Sequence, residues 1–361
     1  MKRLTFFALA LALALASPAQ DTVRWSAHIG GTALFRDAEY FMPFTKGYTI
    51  SGFRVAPTLQ YHVGDLHFEG GALLTAVAGT EGLYRAEPVL TVSYRPLDWL
   101  TLNMGTLKGG NLLGDAQHNV GEPMLDPERW YLSPKEDGVQ ILTGCSSKNC
   151  LFNWRSDTWV NWERFFLPAQ ADQERFTLGS AHRLSLRSLR LDAAFMGCHR
   201  GGQFSALDTC IETLFNERLG LGYTFSFGSR NSLTLSADAY FFQNASPERH
   251  RHTAYTSGYG LHPHATLAMP FGKRSDDRLE LGLGYWYGHQ YLSARGSWLY
   301  QSASWCDPAY LQPQRHMLTA GLSFTHNRLN LNAQLYHDLS LHRTDFALSL
   351  ILHFQATHPL L

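Results

Sequence analysis

Leu329-Asn330-Leu331-Asn332-Ala333-Gln334-Leu335-Tyr336 alternates apolar and polar side chains, and Phe346, Leu348, Leu350, Leu352 and Phe354 continue the rhythm after a short break. A β-strand sends successive side chains to opposite faces, so each segment has one greasy side and one wet side. The same dyad recurs upstream. Tyr84, Ala86, Pro88, Leu90, Val92 and Tyr94 oppose Arg85, Glu87, Thr91, Ser93 and Arg95, with Val89 the exception. Leu233, Leu235, Ala237, Ala239 and Phe241 oppose Ser232, Thr234, Ser236 and Asp238. Leu279, Leu281, Leu283, Tyr285 and Tyr287 oppose Arg278, Glu280, Gly282, Gly284 and Trp286.

The start of the chain gives the compartment. Lys2 and Arg3 precede an apolar stretch over 4–16, followed by Ser17-Pro18-Ala19, which reads as a secretory leader cleaved after residue 19. That stretch is too short for a membrane helix, and no other segment approaches one. No cysteine follows the cleavage site, which argues against a lipoprotein. An exported chain with alternating strands and no apolar helix fits a closed sheet with lipid outside and water inside, because only closure satisfies every backbone group in a bilayer. The expected fold is all-β, a transmembrane antiparallel barrel filling 20–361 as one domain; a soluble sandwich is the competing reading of the same alternation.

Tight polar connections, among them Gly64-Asp65, Arg187-Ser188 and Asn327-Arg328, alternate with longer ones. Short turns on one rim and long loops on the other describe an outer-membrane barrel. Strands threaded through this punctuation number about sixteen, with fourteen or eighteen as alternatives, and an even count puts both termini on the periplasmic side.

In mature length, strand number, leader and a last strand containing Phe354, the chain resembles the general porins of Gram-negative outer membranes. The Pro-Glu-Phe-Gly loop signature of that family is absent, and seven residues, 355–361, follow the aromatic. The resemblance implies a passive channel for small hydrophilic solutes, held in outer-membrane lipid, inserted by the barrel-assembly machinery and able to form a homotrimer. It also implies an inward-folded third loop, here 109–136, in which Asp115, Glu122, Asp126, Glu128 and Arg129 form the constriction. Arg54, Glu69, Arg85, Glu87, Arg95, Arg155, Asp157, Asp238, Arg278, Glu280 and Asp338 fall on wet faces and are the expected pore lining. Two other classes compete: a polysaccharide-binding or capsule-assembly barrel with a blocked lumen, and an outer-membrane hydrolase.

Ser180-Ala181-His182 offers a nucleophile and a base in sequence, but neighbouring letters do not establish reach, and the chain matches no Ser–His motif of outer-membrane phospholipases or lipid A deacylases. The expectation is therefore no enzyme, no catalytic residue and no cofactor. His250-Arg251-His252 and His262-Pro263-His264 each place two imidazoles on one strand face, but no carboxylate or cysteine stands at a completing spacing, so no metal is expected. An oxidising compartment makes Cys145 with Cys150 and Cys198 with Cys210 the expected disulfides, leaving Cys306 over. Trp25, Trp154, Tyr223, Tyr285 and Tyr287 suit a lipid-boundary girdle, whereas Trp99, Trp159 and Trp286 fall on wet faces where they could stack on sugars or pack on a plug. Losing Lys2 and Arg3 takes Lys and Arg from 30 to 28 against 30 Asp and Glu, which leaves no basic footprint for nucleic acid.

Overall fold

The computed structural model describes residues 24–108, 118–132, 135–145, 152–165, 173–201, 211–228, 230–272 and 277–360. The leader expected over 1–19 lies outside them. Sixteen strands form the barrel: β1 (Arg24–Glu39), β2 (Tyr48–Val63), β3 (Leu66–Val77), β4 (Arg85–Leu97), β5 (Leu100–Thr106), β6 (Asp137–Cys145), β7 (Asn153–Arg164) and β8 (Arg175–Leu186) in the first half. The second half is β9 (Leu189–Arg200), β10 (Glu212–Phe227), β11 (Asn231–Asn244), β12 (Ser257–Pro270), β13 (Arg278–His289), β14 (Gln314–His326), β15 (Leu329–Asp338) and β16 (Arg343–Pro359). Each strand pairs antiparallel with its sequence neighbours, and β1 closes the cylinder against β16.

Closure explains the residues beyond Phe354. The last strand does not stop at the aromatic but continues to Pro359, with Gln355 opposite Gly30 and Pro359 opposite Ser26. Those residues satisfy backbone groups of β1 that would otherwise form an open edge.

Alternation sorts each strand into two environments. In β15 and β16 Leu331, Leu335, Leu348, Leu350 and Leu352 are exposed on the outer skin, while Tyr336, Asp338, Ala347 and Ser349 are buried inside. Short turns gather on one rim. Gly64, Arg187, Gly228 and Asn327 take positive φ there, the left-handed backbone that tight turns of twisted strand pairs require.

On the opposite rim three connections turn inward. Met42 and Phe44 from the β1–β2 connection, Val120, Met124 and Leu125 from the β5–β6 connection, and Tyr291, Leu292, Leu299 and Tyr300 from the β13–β14 connection join one buried cluster. Its other side is the barrel wall itself, through Trp159, Tyr240, Trp286, Met317 and Tyr336. Burying side chains of this size contributes roughly 1.5–3 kcal/mol each, so the cluster is a packed plug. Buried polar bonds orient it. Asp345 accepts from the backbone N–H of Phe41 at 2.6 Å and of Met42 at 2.9 Å, and the Arg315 guanidinium, paired with Asp338 at 3.0 Å, lies 3.5 Å from the centre of the Phe44 ring.

Candidate functional site

The predicted pore-lining residues all sit at the inward positions of their strands, but most are engaged with neighbours. Glu69 accepts from Thr58 at 2.7 Å, Arg278 meets Glu280 at 3.3 Å, and Arg85 approaches Glu87 at 3.8 Å. Arg54 donates to the Tyr131 carbonyl at 3.0 Å, which ties the wall to the inward loop. Arg155 faces Arg183 across the β7–β8 ladder. Arg95 lies at the short-turn rim beside Asp98, at 3.7 Å.

The loop residues expected to form the constriction are part of the plug. Glu122 accepts from Tyr336 at 2.9 Å and from Tyr300 at 3.3 Å; burial lifts its carboxyl to about 7. Asp126 accepts from the backbone N–H of Glu128 at 2.8 Å, Glu128 pairs with Arg36 at 2.7 Å, and Arg129 reaches Glu136 at 3.6 Å. Asp115 lies outside the described residues.

The sequence reading missed His118. Its Nδ1 is 2.7 Å from Asp157 and its Nε2 2.8 Å from Glu136, and its ring stacks on Trp159 with centroids 3.5 Å apart. Burial opposes protonation here, but the two carboxylate hydrogen bonds outweigh it and raise the imidazole to about 9; the same pairing holds Glu136 below the usual carboxylate range. An imidazolium with both nitrogens bound is a clamp between loop and wall and has no free lone pair for catalysis. Trp159 is seated across Gly179 of β8, where a Cβ would fall 2.1 Å from the indole. Both Trp159 and Trp286 are buried in the plug, which removes them as sugar platforms.

A different polar group faces outward. On β8 Leu178, Leu184 and Leu186 are exposed on the skin of the barrel, and Ser180 and His182 share their parity. Ser180 Oγ lies 2.9 Å from His182 Nε2. With the imidazole protonated at Nδ1, the hydroxyl donates to Nε2, the arrangement of a nucleophile and its base. Thr158 Oγ1 is 2.7 Å from Ser180 Oγ, and Thr143 and Ser156 form a further hydroxyl pair at 2.6 Å on the same face. The reach that the sequence could not establish is present. It arises because residues two apart on a strand share a face.

Beside this pair runs an apolar groove of about 760 Å³. His182 and Trp154 stand at one end, Leu184, Leu191, Leu219 and Leu221 form its flanks, and Ala193, Ala237 and Ala239 keep its floor low. Farther along the wall, Glu217 of β10 is also exposed on the outer face, between Phe195 and Phe241 in the ladder. Ionisable side chains on a lipid-facing wall are costly and mark function more often than structure.

Cys150 and Cys210, the expected partners of Cys145 and Cys198, lie outside the described residues, and no disulfide is present among the described ones. Cys198 Sγ is 3.6 Å from the Thr177 hydroxyl, and Cys306 is an exposed thiol.

A closed antiparallel cylinder with an apolar skin and a charged interior is an outer-membrane β-barrel. A family model described as "Lipid A 3'-O-deacylase-type" matches residues 17–361, and the chain belongs to that family. This overturns the expectation of a protein without catalysis, since the family is one of enzymes. The sequence reading went wrong by taking the lack of a recognisable Ser–His motif for the lack of catalysis. Among solved structures, the chain is similar to OmpF of Salmonella typhi in complex with daunomycin, with TM-score 0.50, 13% identity, and coverage of 91% of this chain and 97% of that one. It is also similar to a bacterial polysaccharide outer membrane secretin, with TM-score 0.50, 9% identity, and coverage of 92% and 98%. These likenesses bear out the porin-like fold. No curated protein matches the chain.

Proposed function

We propose that this protein is an outer-membrane ester hydrolase that removes an acyl chain from a lipid A-type glycolipid, with Ser180 as nucleophile and His182 as base. The observation that carries the reading is the 2.9 Å Ser180–His182 contact on the lipid-facing wall beside an apolar groove. A lipid substrate meets the barrel from that side, and the groove offers an acyl chain a continuous apolar bed.

In this reading His182 Nε2 takes the hydroxyl proton as Ser180 Oγ attacks the ester carbonyl, and returns it to the departing sugar alcohol. Water, activated by the same imidazole, then releases the fatty acid from the acyl-serine. Thr158 is placed to turn its hydroxyl toward the oxyanion, and the hydroxyls of Thr143 and Ser156 supply a polar path for water along the wall. The short-turn rim is periplasmic in this assignment, and the plugged rim faces outward.

The experiment is fatty-acid release from purified lipid A in mixed micelles, with Ser180→Ala and His182→Ala compared with the parent. Loss of release in both, with the folded electrophoretic band retained, supports the assignment; full activity in Ser180→Ala refutes it. Passive diffusion of small hydrophilic solutes is the second reading, favoured by a polar chamber of about 540 Å³ between Arg85, Glu87, Arg129 and Arg295. Stepwise conductance in planar bilayers, without lipid hydrolysis, would favour it.

A further inference from the structure

Inside the barrel, a carboxylate from one strand converges with the two imidazoles of His262-Pro263-His264 on the next. Asp238 of β11 is the register partner of His262 on β12, and His264 follows on the same inward face. One ligating atom from each of the three lies within 4.8 Å of the others. The expectation that no carboxylate completes the His262-Pro263-His264 pair is corrected by the ladder, which supplies Asp238 from the neighbouring strand.

Three details separate this group from an ordinary polar cluster. First, Asp238 is oriented by its partners: Oδ1 accepts from Arg218 Nε at 2.9 Å and Nη2 at 2.8 Å. That leaves Oδ2 turned toward His264 Nδ1 at 3.7 Å. This is too long for a hydrogen bond; the same Nδ1 donates to the His262 carbonyl at 3.3 Å, the outer bond that orients a ligating imidazole, which leaves Nε2 as the lone-pair nitrogen of His264. Second, His262 Nε2 is buried and has no hydrogen-bond partner among the described residues, a cost that native interiors seldom leave unanswered. Third, there is room beside it. A Cβ on Gly284 would fall 2.8 Å from His262 Nε2 and 2.5 Å from Thr319 Oγ1, so the space exists because residue 284 has no side chain. It opens into a cavity of about 180 Å³ lined also by Glu122, Gln334 and Tyr336.

We infer that Asp238, His262 and His264 form a binding site for a divalent transition metal of the zinc class, inside the lumen and beneath the plug. Two nitrogens and one carboxylate oxygen suit zinc, nickel or copper better than calcium or magnesium, which prefer all-oxygen shells. A cavity water or the Glu122 carboxylate completes four-coordination. Arg218 acts as the outer partner that fixes the carboxylate, and its own charge is balanced by Asp192 on its other side, at 3.5 Å. The bound ion would join β11 to β12 and, through Glu122, the wall to the inward loop. The site lies on the opposite face of the wall from Ser180, and its test does not depend on hydrolysis.

The purified barrel in detergent, stripped with a chelator, is titrated with Zn²⁺ in competition with a chromophoric chelator and, separately, with Co²⁺. The expected result is one ion per chain, with the visible absorption of four-coordinate Co²⁺. Asp238→Asn and His264→Ala should each weaken binding by about tenfold or more; Gly284→Ala should also weaken it by filling the space beside His262. A His250→Ala/His252→Ala variant should bind as the parent does, and a hundredfold excess of Ca²⁺ should not displace Co²⁺. Retention of the folded electrophoretic band identifies variants that can be scored, and Gly284→Ala preserves every proposed ligand. No saturable binding, binding unchanged in both Asp238→Asn and Gly284→Ala, or ready displacement by Ca²⁺ would overturn the proposal.

Discussion

The inner and outer faces of β7 and β8 hold similar polar atoms under opposite conditions. Inside, His118 is clamped between Asp157 and Glu136 and covered by Trp159, with both ring nitrogens occupied. Outside, His182 hydrogen-bonds through Nε2 to the Ser180 hydroxyl, its one side-chain partner among the described residues, and remains exposed. An imidazole fixed on both sides by carboxylates holds its proton and braces structure; one whose Nε2 meets a hydroxyl has the geometry in which a proton can pass between them. Partner chemistry, rather than residue type, divides the bracing histidine of this wall from the one proposed as base.

The comparison breaks most decisively at Ser180. Ser180→Ala should lower fatty-acid release by about 10³-fold or more, as loss of an activated nucleophile does, with no change in the folded band. If the inner histidine were the base instead, His118→Gln would give that loss and Ser180→Ala would not.

Inside, the largest effect is on stability. Asp338→Ala leaves Arg315 buried without its 3.0 Å carboxylate partner and should destabilise the plugged barrel by about 3–5 kcal/mol, read from urea unfolding in detergent. Gly179→Ala should cost about 1–3 kcal/mol, because the new methyl displaces the Trp159 ring and with it the His118 clamp.

Proton linkage sharpens the contrast further. The folded-state value of His118, about 9, lies above the ordinary 6.5, so the clamp contributes its full stability below 6.5 and loses it as pH rises through 9. Glu122 has the same sign: with its carboxyl lifted from 4.5 to about 7, its surroundings favour the folded state most at low pH, and that contribution declines between those values. Urea midpoints followed from pH 4 to 10 should therefore show two declines, with the upper one absent in His118→Gln. The smallest effect expected is on the skin, where Glu217→Leu should stabilise the inserted barrel by about 1 kcal/mol or less, since acidic residues on a lipid face cost less than basic ones and least near the boundary.

Much of the scaffold was legible beforehand because a strand's period of two writes itself directly into the sequence. Leu331, Leu335, Leu348 and Leu352 could be assigned outward and Asp238, Glu280 and Asp338 inward without any knowledge of their neighbours. The sites were less legible. His118 sits in a loop whose partners, Asp157 and Glu136, are chosen by how that loop re-enters the barrel, and no local spacing encodes this. Ser180 and His182 were visible as letters, yet a hydrogen bond depends on side-chain rotamers as well as parity, and the groove beside them belongs to six different strands.

By itself the sequence determined the class of solvent each face meets: alternation and tight turns lead to a cylinder with lipid outside. Only the tertiary structure decided that inward connections pack against the wall inside the bore, that most charges expected to line a passage instead engage neighbouring groups, and that Asp238 meets His262 across a ladder. The reason is physical. Local periodicity acts between adjacent residues on one chain segment, whereas plugs, clamps and ligand sets depend on which distant segments the closed sheet brings within a few ångströms of each other.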